Sequence, residues 1–190
     1  MALFDAFLKL DGIKGESADA KHKGEIDVES FSWGVSQTGV SATGGGGGAG
    51  KVQVHDFTII KKTDASSPLL MLNCANGAHI KEATFTVRKA GGEQLEYLKI
   101  KLTDVLVSSH KSKGRTKVSL GFTFATIFTT RIGSDPKEDL AHQSGDEIPL
   151  EQITLNFAKI EFSYQPQGAD GKAQGGPILA GWDVKGNVKV

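Results

Sequence analysis

The chain has 190 residues, with 22 basic and 22 acidic side chains and a formal net charge of zero. That length holds one domain or two small ones and buries roughly 70% of the unfolded surface without staples, while the balanced charge lacks the basic excess of a nucleic-acid binder. The single cysteine, Cys74, excludes an intrachain disulfide and fits folding in a reducing compartment, and no segment approaches the roughly 18 apolar residues of a membrane helix.

The first candidate strand is "FDAFLKL", residues 4–10. Asp5 and Lys9 interrupt the apolar stretch around it, so it fails as a signal peptide. Residues 12–24 read as a polar loop. In "EIDVESFSW", residues 25–33, Ile26 and Val28 share one face, and then Phe31 and Trp33 share the other. A slip of one residue marks a bulge or sharp bend, and a strand bent this way can serve two sheets.

The glycine run comes next. Gly45, Gly50 and Lys51 are spaced almost as in a phosphate-binding loop. That loop needs a Ser or Thr after the Lys to hold magnesium, and a helix whose N-terminus faces the anion. Here Val52 follows, and Val52 and Val54 alternate with Lys51, Gln53 and His55 as in a strand. The run therefore reads as a long flexible connection over residues 36–50, with no nucleotide site.

"SSPLLMLNCANG", residues 66–77, predicts the one helix. Ser67 is its N-cap, Pro68 its first helical residue and Gly77 its stop. Leu69, Leu70, Leu72 and Cys74 would cover a neighbouring sheet. "ATFTVRK" sets Ala83, Phe85 and Val87 against Thr84, Thr86 and Arg88. "LEYLKIKLTD" sets Leu98, Ile100 and Leu102 against Tyr97, Lys99, Lys101 and Thr103. "HKSKGRTK", residues 110–117, reads as a solvated hairpin, with a docking patch as the alternative. "KVSLGFTF", residues 117–124, is a further strand. Residues 131–147 are a polar loop rich in turn chemistry. "ITLNFAKIEFSY" again changes phase, from Ile153, Leu155 and Phe157 to Ile160, Phe162 and Tyr164, and "WDVKGNVKV" is the last strand candidate. About eight strands and one short flanking helix predict an all-β fold, a two-sheet β-barrel or sandwich.

The search for chemistry finds little. His22, His55, His79, His110 and His142 form no metal-ligand pair and read as surface residues. Cys74 sits in a Leu- and Met-rich helix, where a buried inert thiol is expected rather than a nucleophile. No nucleophile elbow is present. No cofactor is implied. Two further function classes stand beside a structural role: a monomeric ligand-binding β-barrel, and an enzyme that uses the glycine loop.

Several long motifs in order carry a family likeness: "FSWGVSQTG", "GAGKV" after the glycine run, "IIKKTDASSPLLMLNCANG", "RKAGGEQLEYLKIKLTDVLVSS", "NFAKIEFSYQPQ", then "GGP" and "GW". Over residues 4–182 the chain resembles the Hcp family, the haemolysin-coregulated proteins of bacterial type VI secretion. The resemblance implies a single barrel domain over residues 1–190, non-enzymatic, with no C-terminal toxin extension beyond Val190. It implies homohexameric rings that stack into a tube, driven out by a contractile sheath behind a spike protein, with small effector proteins in the lumen. It implies no membrane insertion and no nucleic-acid partner. Such a chain is cytoplasmic before firing and secreted afterwards without a signal peptide. Residues 129–147 look longer than the family's usual connection. The glycine loop, with Gly44, Gly45, Gly46, Gly47, Gly48, Gly50 and Lys51, resembles the extended loop by which rings stack. If Phe31 and Trp33 point into the core, Ser32 points out of it, and in a ring of this family that face lines the channel and touches effector.

Overall fold

A computed structural model describes residues 4–37, 52–89, 94–114, 148–168 and 171–190. Eleven strands and one helix form among them, more strands than the eight expected: β1 (Phe4–Leu10), β2 (Ile26–Asp27), β3 (Ser30–Ser32), β4 (Val35–Gln37), β5 (Val52–Val54), β6 (Phe57–Lys62), α1 (Ser67–Asn76), β7 (His79–Lys89), β8 (Glu96–Lys113), β9 (Leu150–Tyr164), β10 (Ile178–Asp183) and β11 (Val188–Lys189). The main sheet runs β11-β10-β9-β8-β7-β1-β2, with β6 also on β9 and β3 on β6; β4 and β5 form a second, two-stranded sheet. The candidate strand at residues 117–124, the loop at 131–147 and His142 lie outside the described residues.

The long strands β8 and β9 pair along most of their length. The other edge of β9 is divided, since residues 150–155 pair with β6 and residues 159–164 with β10. The division falls at the expected phase slip: Phe157 and Ile160 are both buried, three residues apart. The same slip occurs beside it in β8, between Leu102 and Val105, and in β7, between Ile80 and Ala83. The register aligns them, with Ile80 opposite Val105 opposite Phe157, and Ala83 opposite Leu102 opposite Ile160. One crease thus crosses three strands. It keeps all three core faces buried while the sheet bends. Asp104 lies on the crease with φ +56°, a left-handed conformation that is uncommon outside glycine, though an aspartate adopts it more readily than most residues.

The other slip also marks a change of partner. Val28 N–H donates to the Ala6 carbonyl of β1 (2.9 Å), and Glu29 N–H donates to the Ile60 carbonyl of β6 (2.8 Å). The core between these elements holds Leu8, Ile26, Phe57, Ile59, Phe85, Ile100, Leu102, Ile153 and Leu155, each at most 1% exposed. Burial stabilises by roughly 1.5–3 kcal/mol for each large side chain. Phe31 joins Phe57 and Phe85 in an aromatic cluster, with ring centroids 6.1 Å and 4.6 Å away.

Two surfaces expected to be wet are dry. Thr86 and Arg88, on the outward side of β7, are 4% exposed, because the segment 11–24 packs over them. Its backbone closes on itself, with Gly15 N–H to the Gly24 carbonyl (2.9 Å) and Ser17 N–H to the Glu25 carbonyl (3.0 Å). Arg88 then binds Asp5 (3.1 Å) and Asp19 (2.5 Å) and lies 4.9 Å over the Phe7 ring. His22, expected on the surface, is 6% exposed and stacks on Phe7 at 4.2 Å.

The helix departs from its prediction at both its start and its face. Ser66, not Ser67, is the N-cap; Ser67 is the first helical residue and Pro68 follows. The Ser67 hydroxyl is used elsewhere. It donates to Glu151 Oε2 (2.6 Å) and accepts from Lys61 Nζ (3.0 Å) and Asp64 N–H (3.1 Å). Gly77 ends the helix as expected, at φ +68°, its N–H bonded to the Asn73 carbonyl. Only Leu70 is fully buried, with Cys74 half-buried beneath it, while Leu69, Met71 and Leu72 are 44–52% exposed. The helix meets the core along one narrow stripe, and the ion cluster at its first turn fastens it.

That cluster centres on Lys61, fully buried on β6. Its ammonium donates to Glu151 Oε2 (3.0 Å) and the Lys62 carbonyl (2.7 Å) and lies 2.9 Å from Asp64 Oδ1. Burial alone would raise the Glu151 carboxyl; the hydrogen bonds from Ser67 and Lys61, the Lys61 charge and Thr63 outweigh it, and the carboxyl sits below its ordinary range. His110, expected in a solvated hairpin, sits 3.7 Å from Glu151 with a side chain 14% exposed. A second irregularity, between Val107 and Ser109, turns it inward.

Candidate functional site

Ser32 is exposed, in contrast to its neighbour Phe31, whose ring lies against Phe85. The next residue, Trp33, packs on Phe162 at 6.1 Å. Alternation along β3 thus aims Ser32 away from the aromatic core.

Its neighbours on that face follow from register. Ser32 pairs with Thr58, Thr58 with Thr154, and Thr154 with Ser109. The Thr58 and Thr154 hydroxyls are 3.4 Å apart. One row of four hydroxyls therefore crosses β3, β6, β9 and β8. On one side run Ser30, Ile60, Gln152 and Lys111. On the other, Asp56 accepts from Ser108 (2.5 Å) and Asn156 (2.8 Å). The face is small, polar and sparsely charged. It offers many weak hydrogen bonds rather than one strong anchor. No single residue's sequence context marks this row, because it is assembled from four separated segments.

Other chemistry is sparse. His79 Nδ1 and Lys185 Nζ each lie 2.6 Å from Asp104, and these hydrogen bonds, Lys185 first, hold its carboxyl below the ordinary range. They border a cleft of about 190 Å³ that also includes Phe157 and Val184. Ser36 and His55 bond across the small sheet at 3.1 Å. Among the described residues, no three His, Cys, Asp or Glu side chains could together hold a metal ion, and no helix is long and apolar enough to cross a membrane.

Gly44, Gly45, Gly46, Gly47, Gly48, Gly50 and Lys51 lie outside the described residues. Their flanks do not: Val52–Val54 is a strand, paired antiparallel with Val35–Gln37. No helix starts after Lys51, so the phosphate-loop geometry is absent there.

The sheet thus has one face in the dry core and one that carries the hydroxyl row. The family model described as type VI secretion system effector, Hcp, matches residues 7–164, and the chain belongs to that family. It is 43% identical over 186 residues to Protein hcp1 of Pseudomonas aeruginosa, covering 97% of this chain and 98% of that protein. Among solved structures it is similar to Hcp1 of Salmonella typhimurium (32% identity, all of both chains, TM-score 0.72). It is also similar to a type VI secretion system effector of Yersinia pestis (32% identity, 94% of this chain and 99% of that one, TM-score 0.65). Hcp proteins form hexameric rings that stack into the type VI secretion tube, and this chain is such a tube subunit.

Proposed function

We propose that the chain acts as a single Hcp domain over residues 1–190, closed into a barrel, whose rings carry effector proteins in the lumen against the hydroxyl face around Ser32. The family match over nearly the whole chain carries this reading. Barrel closure is supported by the shared segment β2–β3, whose successive N–H groups at Val28 and Glu29 reach β1 and β6 in turn. The ring meets a contractile sheath outside and a spike at its tip, and leaves the cytoplasm without a cleaved signal. It does no catalysis. The loop at residues 39–50 stacks ring on ring, a reading supported by its resemblance to the family's extended loop.

The face around Ser32 suits cargo because it repeats around the ring, and many weak contacts acting together raise affinity by orders of magnitude. Ser32→Gln should leave the ring intact, since no core volume changes, and should reduce recovery of a cognate effector in a pull-down. Equal recovery from wild-type and variant rings removes Ser32 from the cargo surface.

A further inference from the structure

The segment 11–24 brings a histidine inside and sets it between two carboxylates. His22 is 6% exposed, and its ring lies on Phe7 of β1. Its Nδ1–H donates to Glu25 Oε2 at 2.8 Å. Its Nε2 lies 3.5 Å from Glu96 Oε1 on β8. Both carboxylates are mostly covered, with the Glu25 side chain 17% and the Glu96 side chain 25% exposed. The Nε2 atom is buried and has no hydrogen-bond partner among the described residues. The other charges around the ring are already matched. Asp19 accepts from the His22 backbone N–H (3.2 Å) and is held by Arg88, which also holds Asp5 of β1. Lys99 of β8 sits on the other Glu96 oxygen, Oε2 (2.5 Å). Lys21, from the segment itself, acts on Glu96 through its charge.

A carboxylate can only accept hydrogen bonds, and a neutral imidazole carries one donor and one acceptor. A neutral ring that donates from Nδ1 therefore turns the lone pair of Nε2 toward Glu96, acceptor against acceptor. A protonated ring has an N–H on each nitrogen, one for each carboxylate. Glu96 suits that partner. Burial alone would raise its carboxyl; the Lys99 hydrogen bond and the charges of Lys99, His22 and Lys21 outweigh it, and the group sits below its ordinary range. A polar atom left unpaired inside a protein carries a desolvation cost that a solvated one does not. The closed segment thus favours the imidazolium, and the open segment, with the ring in water, has no such preference.

We propose that His22 is a proton-operated latch: its imidazolium, bonded to Glu25 and reaching Glu96, holds the segment 11–24 on the outward side of β7, and loss of that proton loosens the segment. The sign is that of a group whose charged form the fold prefers. The latch holds on the acid side and weakens as the pH rises across the range in which histidines titrate. What the open segment uncovers is the dry outward side of β1 and β7, where Phe7 is 5% exposed and Thr86 and Arg88 are 4% exposed. Opening gives the sheet an apolar and cationic strip that the closed form hides.

The test is hydrogen exchange of residues 14–25 in the full chain, read by mass spectrometry from about pH 5 to about pH 8 and corrected for the intrinsic pH dependence of exchange. The segment's own backbone bonds, donated by the Gly15, Ser17 and Gly24 N–H groups, report its opening. The wild type should exchange about tenfold or more faster at the alkaline end, the size of a hydrogen bond between charged groups. His22→Gln keeps an amide donor and cannot titrate, so its corrected exchange should be level across the range. Glu96→Gln should also flatten the profile, because its amide can donate to a neutral Nε2. A flat wild-type profile overturns the proposal, and so does a His22→Gln variant that keeps the wild-type rise. If His22→Gln does not fold, Glu96→Gln decides: an undiminished rise in that variant overturns the proposal. Exchange in β8 and β9 should stay level over the same range; an equal rise there means that the whole sheet opens, and it overturns the latch too.

Discussion

Replacing Lys61 by methionine isolates what fastens α1 to the sheet. Lys61 Nζ and Glu151 Oε2 are 3.0 Å apart, and both side chains are buried. At an effective dielectric of about 20 their attraction is about 5 kcal/mol. Taking the two ions out of water costs several kcal/mol each, so the intact pair contributes little net stability. Breaking it is a different matter. Without the ammonium, Glu151 keeps, among the described residues, the hydroxyl donors Ser67 (2.6 Å) and Thr63 (3.2 Å), with the His110 ring 3.7 Å away. Asp64 loses a cation 2.9 Å away. Lys61→Met should therefore cost about 3–5 kcal/mol, and Glu151→Leu less, because the lysine keeps Asp64 2.9 Å away. The double variant should cost less than the sum of the two single changes. Urea unfolding followed by circular dichroism, at one protein concentration because assembly adds to stability, measures all four forms. The expected coupling is about 2 kcal/mol or more. Losses that simply add would refute the account, since they would mean that the two groups do not depend on each other.

Other outcomes follow from the segment that covers β7. The Asp19 carboxyl, hydrogen-bonded first of all by Arg88, is lowered from 3.8 to about 2. A depressed carboxylate stabilises fully above its ordinary value, so the contact should hold above pH 3.8 and fail as the pH falls through about 2. Pulsed hydrogen exchange of residues 16–23 against pH checks this, and Asp19→Asn should expose the segment at neutral pH. Gly15→Ala should cost about 1–3 kcal/mol, read as a lower melting temperature. The new Cβ would sit 2.5 Å from the Glu25 carbonyl oxygen and 2.7 Å from Ile26 Cα, both backbone atoms that cannot step aside.

The sequence is most informative where side chains alternate. The slips at residues 28–31 and 157–160 are visible as paired apolar residues changing parity, and each coincides with a change of partner strand. The matching slips in β7 and β8 are not visible in "ATFTVRK" and "LEYLKIKLTD", because both segments end on one side of the crease. Lys61 is unreadable for another reason. In "IIKKTD" it looks like half of a solvated pair, and its partner Glu151 is 90 residues away. Arg88 is dry because the segment 11–24 folds over it, and that same fold lays His22 on Phe7, which no local pattern records. Ser32 is legible as an outward residue from Phe31 and Trp33 alone. The row it joins needs the register of three more strands.

The crease ties together lengths that lie far apart in the chain. Residues 81, 104 and 158 share one line across β7, β8 and β9. Because neighbouring side chains alternate between faces, one residue inserted in β8 would turn every side chain beyond it inside out. A matching insertion in β9 alone would not restore the pairing with β7. Changes in length are confined to the connections between these strands. Scanning single-residue insertions through residues 79–113 should recover folded protein only from the connection between β7 and β8. For anyone grafting a peptide or a reporter onto the tube, that connection is the permissive address along this stretch, and the strands on either side of it are closed to insertion.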